Sequence, residues 1–205
     1  MNISSMTHAL ARAAVLAILL LGTMTVQASV VIHSTRIIYP QHEREVTVRL
    51  DSRNQAPVLA QVWLDSGDEQ ATPEQATTTF VATPPIFRME PGKQQVVRLA
   101  YTGETLPSPQ ERLFWFNLLE VPSHPQGAPQ RNQLQLAFRT RIKLLLRPAN
   151  LPYPVEAAPA QLQWRHVSTA RGQGLEVFNP TPYYMTFEHI ELLEGGQRHA
   201  RRTVP

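Results

Sequence analysis

The 205-residue chain contains no cysteine. Disulfide frameworks, thiol nucleophiles, thiolate zinc sites and iron–sulfur clusters are therefore excluded, and stability must come from packing. Glycine is scarce, with nine residues against eighteen prolines, and aromatic residues make up only 7%. That balance excludes a collagen-like repeat, argues against helical arrays and long coiled coils, and favours strands joined by proline-marked turns. No charge of one sign dominates: 19 basic and 16 acidic side chains leave +3. Without a dense basic stripe, nucleic acid is not an expected partner.

Catalytic signatures are missing too. The sequence has no G-x-S-x-G elbow, P-loop, dinucleotide fingerprint or H-E-x-x-H pair, so an enzyme is not expected and a secreted hydrolase lacks a recognisable site. The seven histidines are scattered, a spacing that reads as solvated or singly hydrogen-bonded imidazoles, with no metal site and no cofactor. Asp65, Asp68, Glu69 and Glu74 lie together in a polar stretch. A general acid needs a partly apolar pocket to raise its pKa, so these four read as a solvated face.

What is present begins with an export signal. An n-region with His8 and Arg12 precedes the apolar run Ala13 to Leu21, and Val26-Gln27-Ala28 supplies small residues where a signal peptidase cuts. Cleavage is expected after Ala28. The run is nine residues long, about half of what a membrane span needs, and no later stretch is longer, so no membrane anchor is expected. The product should be soluble and exported, and a bacterial periplasm fits.

From Val30 onward, short apolar-rich segments alternate with turn signals, as in an all-β sandwich. Val30 to Tyr39 is rich in β-branched residues. Glu45 to Asp51 alternates, with Val46, Val48 and Leu50 on one face and Glu45, Thr47 and Arg49 on the other. Further strands are expected at Val58 to Leu64, Phe80 to Thr83, Ile86 to Met89, Gln95 to Tyr101, Leu113 to Val121 and Gln133 to Leu146, with a Pro91-Gly92 turn before Gln95. About seven strands in this span match one immunoglobulin-like sandwich of roughly 100 residues. Three prolines within Pro148 to Pro154 cannot continue a central strand and mark a linker. The expected organisation is a signal peptide over 1–28, an N-terminal domain over 29–147, a linker over 148–154 and an incomplete C-terminal β-sandwich domain over 155–205. In the last, strand-like pieces fall at Leu162 to Val167, Leu175 to Asn179 and Tyr183 to Leu193, followed by a polar tail from Gly195.

The last long strand is unusual. Leu134, Leu136, Phe138, Thr140, Ile142, Leu144 and Leu146 share one parity, while Arg139, Arg141, Lys143 and Arg147 share the other. Fourteen residues would reach more than about 40 Å, twice a typical strand. Two readings are open: an ordinary long strand facing its own core, or an overhanging edge left unblunted so that a partner can pair with it. Burying Leu134, Leu136 and Phe138 in a partner would contribute roughly 5 to 9 kcal/mol gross.

At these residues the chain resembles the PapD-like periplasmic chaperones that assemble fimbriae. The family signature reads here from Leu106-Pro107 through Glu111, Phe114-Trp115-Phe116 and Asn117 to Val121-Pro122, departing from the family pattern at Pro109. Ala82-Thr83-Pro84-Pro85, Glu90-Pro91-Gly92, Lys143 to Pro148 and Asn179 to Tyr184 also look like family segments. The resemblance implies that Arg36 and Lys143 bind the C-terminal carboxylate of a pilus subunit. It implies that Leu134, Leu136 and Phe138 fill the groove in a subunit lacking its own last strand, and that Glu111 and Arg147 belong to an interdomain ionic network. The third member of that network would lie beyond Pro205, so a truncated, marginally stable or inactive chaperone is a further expectation. The short loop over Pro122 to Asn132 resembles the subclass that builds thick, rod-like pili. Implied partners are pilus subunits and an outer-membrane usher, and the exposed strand edge also permits self-association. The alternative class, a structural subunit or adhesin, should show a disulfide or a donor extension at its start. The strand beginning at Val30 leaves no room for such an extension.

Overall fold

The computed structural model describes residues 30–76, 78–104, 109–123, 136–169, 172–194 and 197–202. Its first domain contains strands β1 (Val30–Ile32), β2 (Arg36–Pro40), β3 (Val46–Ser52), β4 (Val58–Asp65), β5 (Phe80–Thr83), β6 (Ile86–Met89), β7 (Gln94–Tyr101), β8 (Arg112–Pro122) and β9 (Phe138–Arg147). They build a four-stranded sheet, β1-β3-β7-β5, and a five-stranded sheet, β2-β9-β8-β4-β6. The alternation read from the sequence decides which side chains meet between them. Val48, Leu50, Val97 and Leu99 from one sheet pack with Val62, Phe116, Leu118 and Leu144 from the other, giving the expected all-β, immunoglobulin-like sandwich.

Two expected strands are redrawn. Val30 to Tyr39 is not one strand: the chain bends at residues 33–35, so β1 pairs antiparallel with β3 while β2 crosses to the other sheet and pairs parallel with β9. The uniform β-branched run conceals the break because either half satisfies strand preference. The long strand expected from Gln133 starts, among the described residues, at Phe138, because its last partner on β8 is Glu120. Leu136 and Ala137 precede the ladder, and Leu134 lies outside the described residues, as does most of the loop expected over Pro122 to Asn132.

Tyr39 ties the two sheets together. Its fully buried ring packs edge-on against Phe80 at 5.3 Å, and its hydroxyl lies 3.1 Å and 3.0 Å from the carbonyls of Glu43 and Arg44 while accepting from the Tyr101 N–H at 3.0 Å. The Pro91-Gly92 turn forms as expected. Lys93 N–H donates to the Glu90 carbonyl at 3.1 Å, and Gly92 takes φ +66°, where a side chain would be strained.

After the proline-rich segment, single turns of 3-10 helix at Val155–Ala157 and Pro159–Gln161 lead into two hairpins. The first pairs β10 (Gln163–Thr169) with β11 (Gly172–Phe178), and the second pairs β12 (His189–Glu194) with β13 (Gln197–Arg202). The sequence reading of a polar tail after Gly195 is therefore corrected: polar residues continue as a strand because β12 supplies a full ladder. Tyr183 to Phe187, expected as strand, is irregular. Asn179 holds that segment by accepting from the Thr181 N–H at 3.0 Å and donating to the Tyr183 carbonyl at 2.8 Å, a side-chain alternative to a ladder.

Candidate functional site

The site is built on β9. On one side β9 pairs with β8 along its whole length, from Phe138 opposite Glu120 to Leu146 opposite Arg112. On the other side β2 runs parallel from Arg36 opposite Lys143 to Pro40 opposite Arg147. From Phe138 to Ile142 that second side has no strand among the described residues. Just before and at the start of this open edge, Leu136 and Phe138 are each 54% exposed. Such an edge is a template for pairing with another chain.

Where β2 begins, Arg36 and Lys143 stand side by side in register. They line a cleft of about 420 Å³ together with Thr35, Trp115, Ile142 and Thr186, the last reaching in from the second domain. Lys143 Nζ donates to Thr186 Oγ1 at 3.2 Å and lies 5.8 Å from the centre of the Trp115 ring. Among the described residues neither Arg36 nor Lys143 has a carboxylate within ion-pair distance. Two unneutralised cations in a partly enclosed cleft attract an anion more strongly than surface charges do.

A third cation, Arg141, lines the same cleft but is neutralised. Its Nη2 donates to Asp65 Oδ1 at 2.6 Å and its Nε to Oδ2 at 3.2 Å, while its guanidinium lies over Trp115 at 4.1 Å. Asp65 also accepts from Asn117 Nδ2 at 2.8 Å and from the Gly67 N–H at 2.7 Å. Asn117 Oδ1 in turn accepts from Arg139, which stacks on Trp63 at 4.8 Å. The reading of Asp65 as part of a solvated face is overturned, because it ends β4 at 1% exposure; Asp68, Glu69 and Glu74 are exposed as expected. Burial alone would raise the Asp65 pKa, but the hydrogen bonds from Arg141, Asn117 and Gly67 outweigh it and hold the carboxyl below its ordinary range.

At the other end of β9, Arg147 Nε donates to Glu111 Oε1 at 2.6 Å. Glu111 is buried, and its Oε2 accepts from the Tyr184 N–H at 2.8 Å. The Glu111 N–H donates to the Pro182 carbonyl at 2.9 Å. Arg147 also lies 5.3 Å from the Tyr183 ring. Burial, opposed by Arg147, raises the Tyr183 pKa, and Glu111, Glu156 and Tyr153 add to the rise. The pair therefore joins the first domain to the segment that Asn179 organises. The structure thus brings Arg36 to Lys143 and Glu111 to Arg147, and it places Leu136 and Phe138 at the open edge. Trp115, Thr186, Asp65 and Arg141 were not anticipated as site residues. Trp115 and Arg141 carried a signal, an indole and a guanidinium on the outward parity of adjacent strands, whereas Thr186 carried none.

Comparison with known proteins accounts for this architecture. The family model for the N-terminal domain of the PapD pili and flagellar-assembly chaperones matches residues 29–152, and the model for the PapD pili assembly chaperone C-terminal domain matches residues 157–205. The chain belongs to this family of two-domain pilus-assembly chaperones. It is 44% identical over 175 residues to the probable fimbrial chaperone YadV of Escherichia coli K12, covering 84% of this chain and 71% of that protein. It is 40% identical to the chaperone FimB/FhaD of Bordetella pertussis, covering 86% and 72%. The crystal structure of a YadV chaperone superposes with a TM-score of 0.71 at 41% identity, covering 84% of this chain and 77% of that one. The SafB chaperone in complex with the Salmonella enterica SafA pilin superposes with a TM-score of 0.66 at 27% identity, covering 87% and 82%.

Proposed function

We propose that this chaperone acts in the periplasm, after cleavage of residues 1–28, by lending the open edge of β9 to a pilus subunit that lacks a strand. The observation that carries the reading is the interrupted pairing of β9. β2 fills the neighbouring lane from Lys143 onward, and among the described residues the lane is open from Phe138 to Ile142. A strand entering the open part and running parallel to β9 would finish against Arg36 and Lys143, where its terminal carboxylate meets two cations. Leu134, Leu136 and Phe138 then fill the subunit's groove. Leu136 and Phe138 are half-exposed in the free chain, so covering each contributes about 1 kcal/mol gross or somewhat more. Glu111 and Arg147 hold the two domains, with the linker over 148–154, so that Thr186 faces the cleft. Delivery to an outer-membrane usher follows from the same role, and the work is binding without catalysis or cofactor.

The test is recovery of a soluble complex from the periplasm of cells co-expressing a fimbrial subunit encoded beside the chaperone. Lys143→Ala should lower recovery by at least about tenfold, with the thermal midpoint of the free chaperone unchanged. Leu136→Glu should abolish recovery by placing a charge in an apolar groove. Wild-type recovery from both variants would show that the partner binds elsewhere.

A further inference from the structure

Three cations line the cleft, Arg36, Arg141 and Lys143, yet one of them is taken up within the fold. Asp65 reaches Arg141 from β4, two strands away, through a bidentate pair of 2.6 Å and 3.2 Å. The same carboxylate is fixed on its remaining lone pairs by Asn117 and the Gly67 N–H. Trp115 lies under the Arg141 guanidinium at 4.1 Å and 5.8 Å from Lys143 Nζ, so its ring serves both cations on the cleft floor. Held in this way, Arg141 presents a stacked, charge-compensated surface to the cleft, whereas Arg36 and Lys143 present uncompensated charge. A fixed bidentate pair also costs Arg141 its freedom to turn toward a ligand.

We propose that Asp65 is a positioning residue of the cleft: by claiming Arg141 it leaves two cations facing the partner instead of three, and so suits the cleft to a chain end bearing one carboxylate over an acidic chain end bearing two. The inference rests on the proposed capture of a terminal carboxylate by Arg36 and Lys143. A buried acid placed solely for stability would set how readily the protein unfolds, but it would not change which of two bound peptide ends is preferred.

The full chain would be titrated with three forms of one short peptide of alternating valine and threonine. One ends in leucine with a free carboxylate, one in leucine amide and one in aspartate with a free carboxylate. The wild type should prefer the leucine acid to the amide by about tenfold and gain nothing from terminal aspartate. Asp65→Asn leaves Arg141 only the longer contact of 3.5 Å with the exposed Glu69, which a ligand carboxylate can replace, and should tighten the aspartate-ended peptide about fivefold relative to the leucine-ended acid. The double variant D65N/R141Q, a neutral pair that can still hydrogen-bond, should return that ratio to the wild-type value while keeping the preference for acid over amide. An unchanged aspartate-to-leucine ratio in D65N overturns the inference. Loss of the acid preference in the double variant also overturns it, because Arg141 would then be part of the anchor, and this arm stands even where D65N alone fails to fold. A wild type that binds acid and amide alike removes the carboxylate anchor, and the role of Asp65 with it. An intact acid preference beside an unresponsive D65N removes the role of Asp65 alone.

Discussion

Asp65 shows how a residue's environment reverses the reading of its type. In a run of acids it reads as solvated, yet it is the last residue of a strand, and strand parity turns it onto Asn117, Arg139 and Arg141. Its pKa lies below the ordinary 3.8, so the native state favours the ionised form, and its stabilising contribution is present above the unfolded-state value. That contribution is lost as pH falls through the lower, folded-state pKa. Asp65→Asn should therefore cost about 3 kcal/mol at neutral pH by leaving Arg141 only the exposed Glu69 carboxylate, at 3.5 Å, as an ionic partner. The gap between wild type and variant in urea unfolding should close as the pH drops below about 4; a gap independent of pH would mean that the Asp65 charge is not what stabilises the fold. Tyr39→Phe gives a second check at this scale. The buried hydroxyl serves two carbonyls and one N–H, and its loss should cost about 1 to 3 kcal/mol in the same assay.

Among the elements, legibility follows the physics of alternation. β3 and β7 were readable because each has one face in the core, so that Val46, Val48 and Leu50, and Val97, Leu99 and Tyr101, recur at every second residue; β8 was readable as a continuous apolar and aromatic run. The division of Val30 to Tyr39 into β1 and β2 was not readable, since β-branched residues suit a strand in either sheet. The site was legible in proportion: Arg36, Lys143, Glu111 and Arg147 came through motif resemblance, whereas Thr186 depends on how an irregular segment folds against another domain, which no local pattern encodes. The bare edge of β9 makes its own prediction. Amide protons of residues 138–142 that point into the open lane should exchange rapidly in the free chaperone and become protected when a subunit binds. Exchange rates that stay unchanged in the complex would rule out strand addition at this edge.

Across the whole molecule, one carboxylate does much of the joining. Glu111 belongs to the first domain, but its two oxygens serve Arg147 and the Tyr184 N–H, and its own N–H serves Pro182. Glu111→Ala deprives a partly exposed guanidinium and a backbone donor of their acceptor together, and should cost about 2 to 3 kcal/mol. The same change should make the two domains melt separately in calorimetry. A single transition, shifted but undivided, would mean that other contacts couple them.

The parallel register of β2 has a consequence for what the molecule is able to recognise. Because its own chain blocks the lane beyond Lys143, a strand in the middle of a longer polypeptide has nowhere to continue; only a polypeptide that stops there fits. With the proposed capture of a chain end at Arg36 and Lys143, the chaperone would act as a gauge of where its client ends, and a subunit carrying an affinity tag on its last residue should be refused by a chaperone that accepts the same subunit untagged.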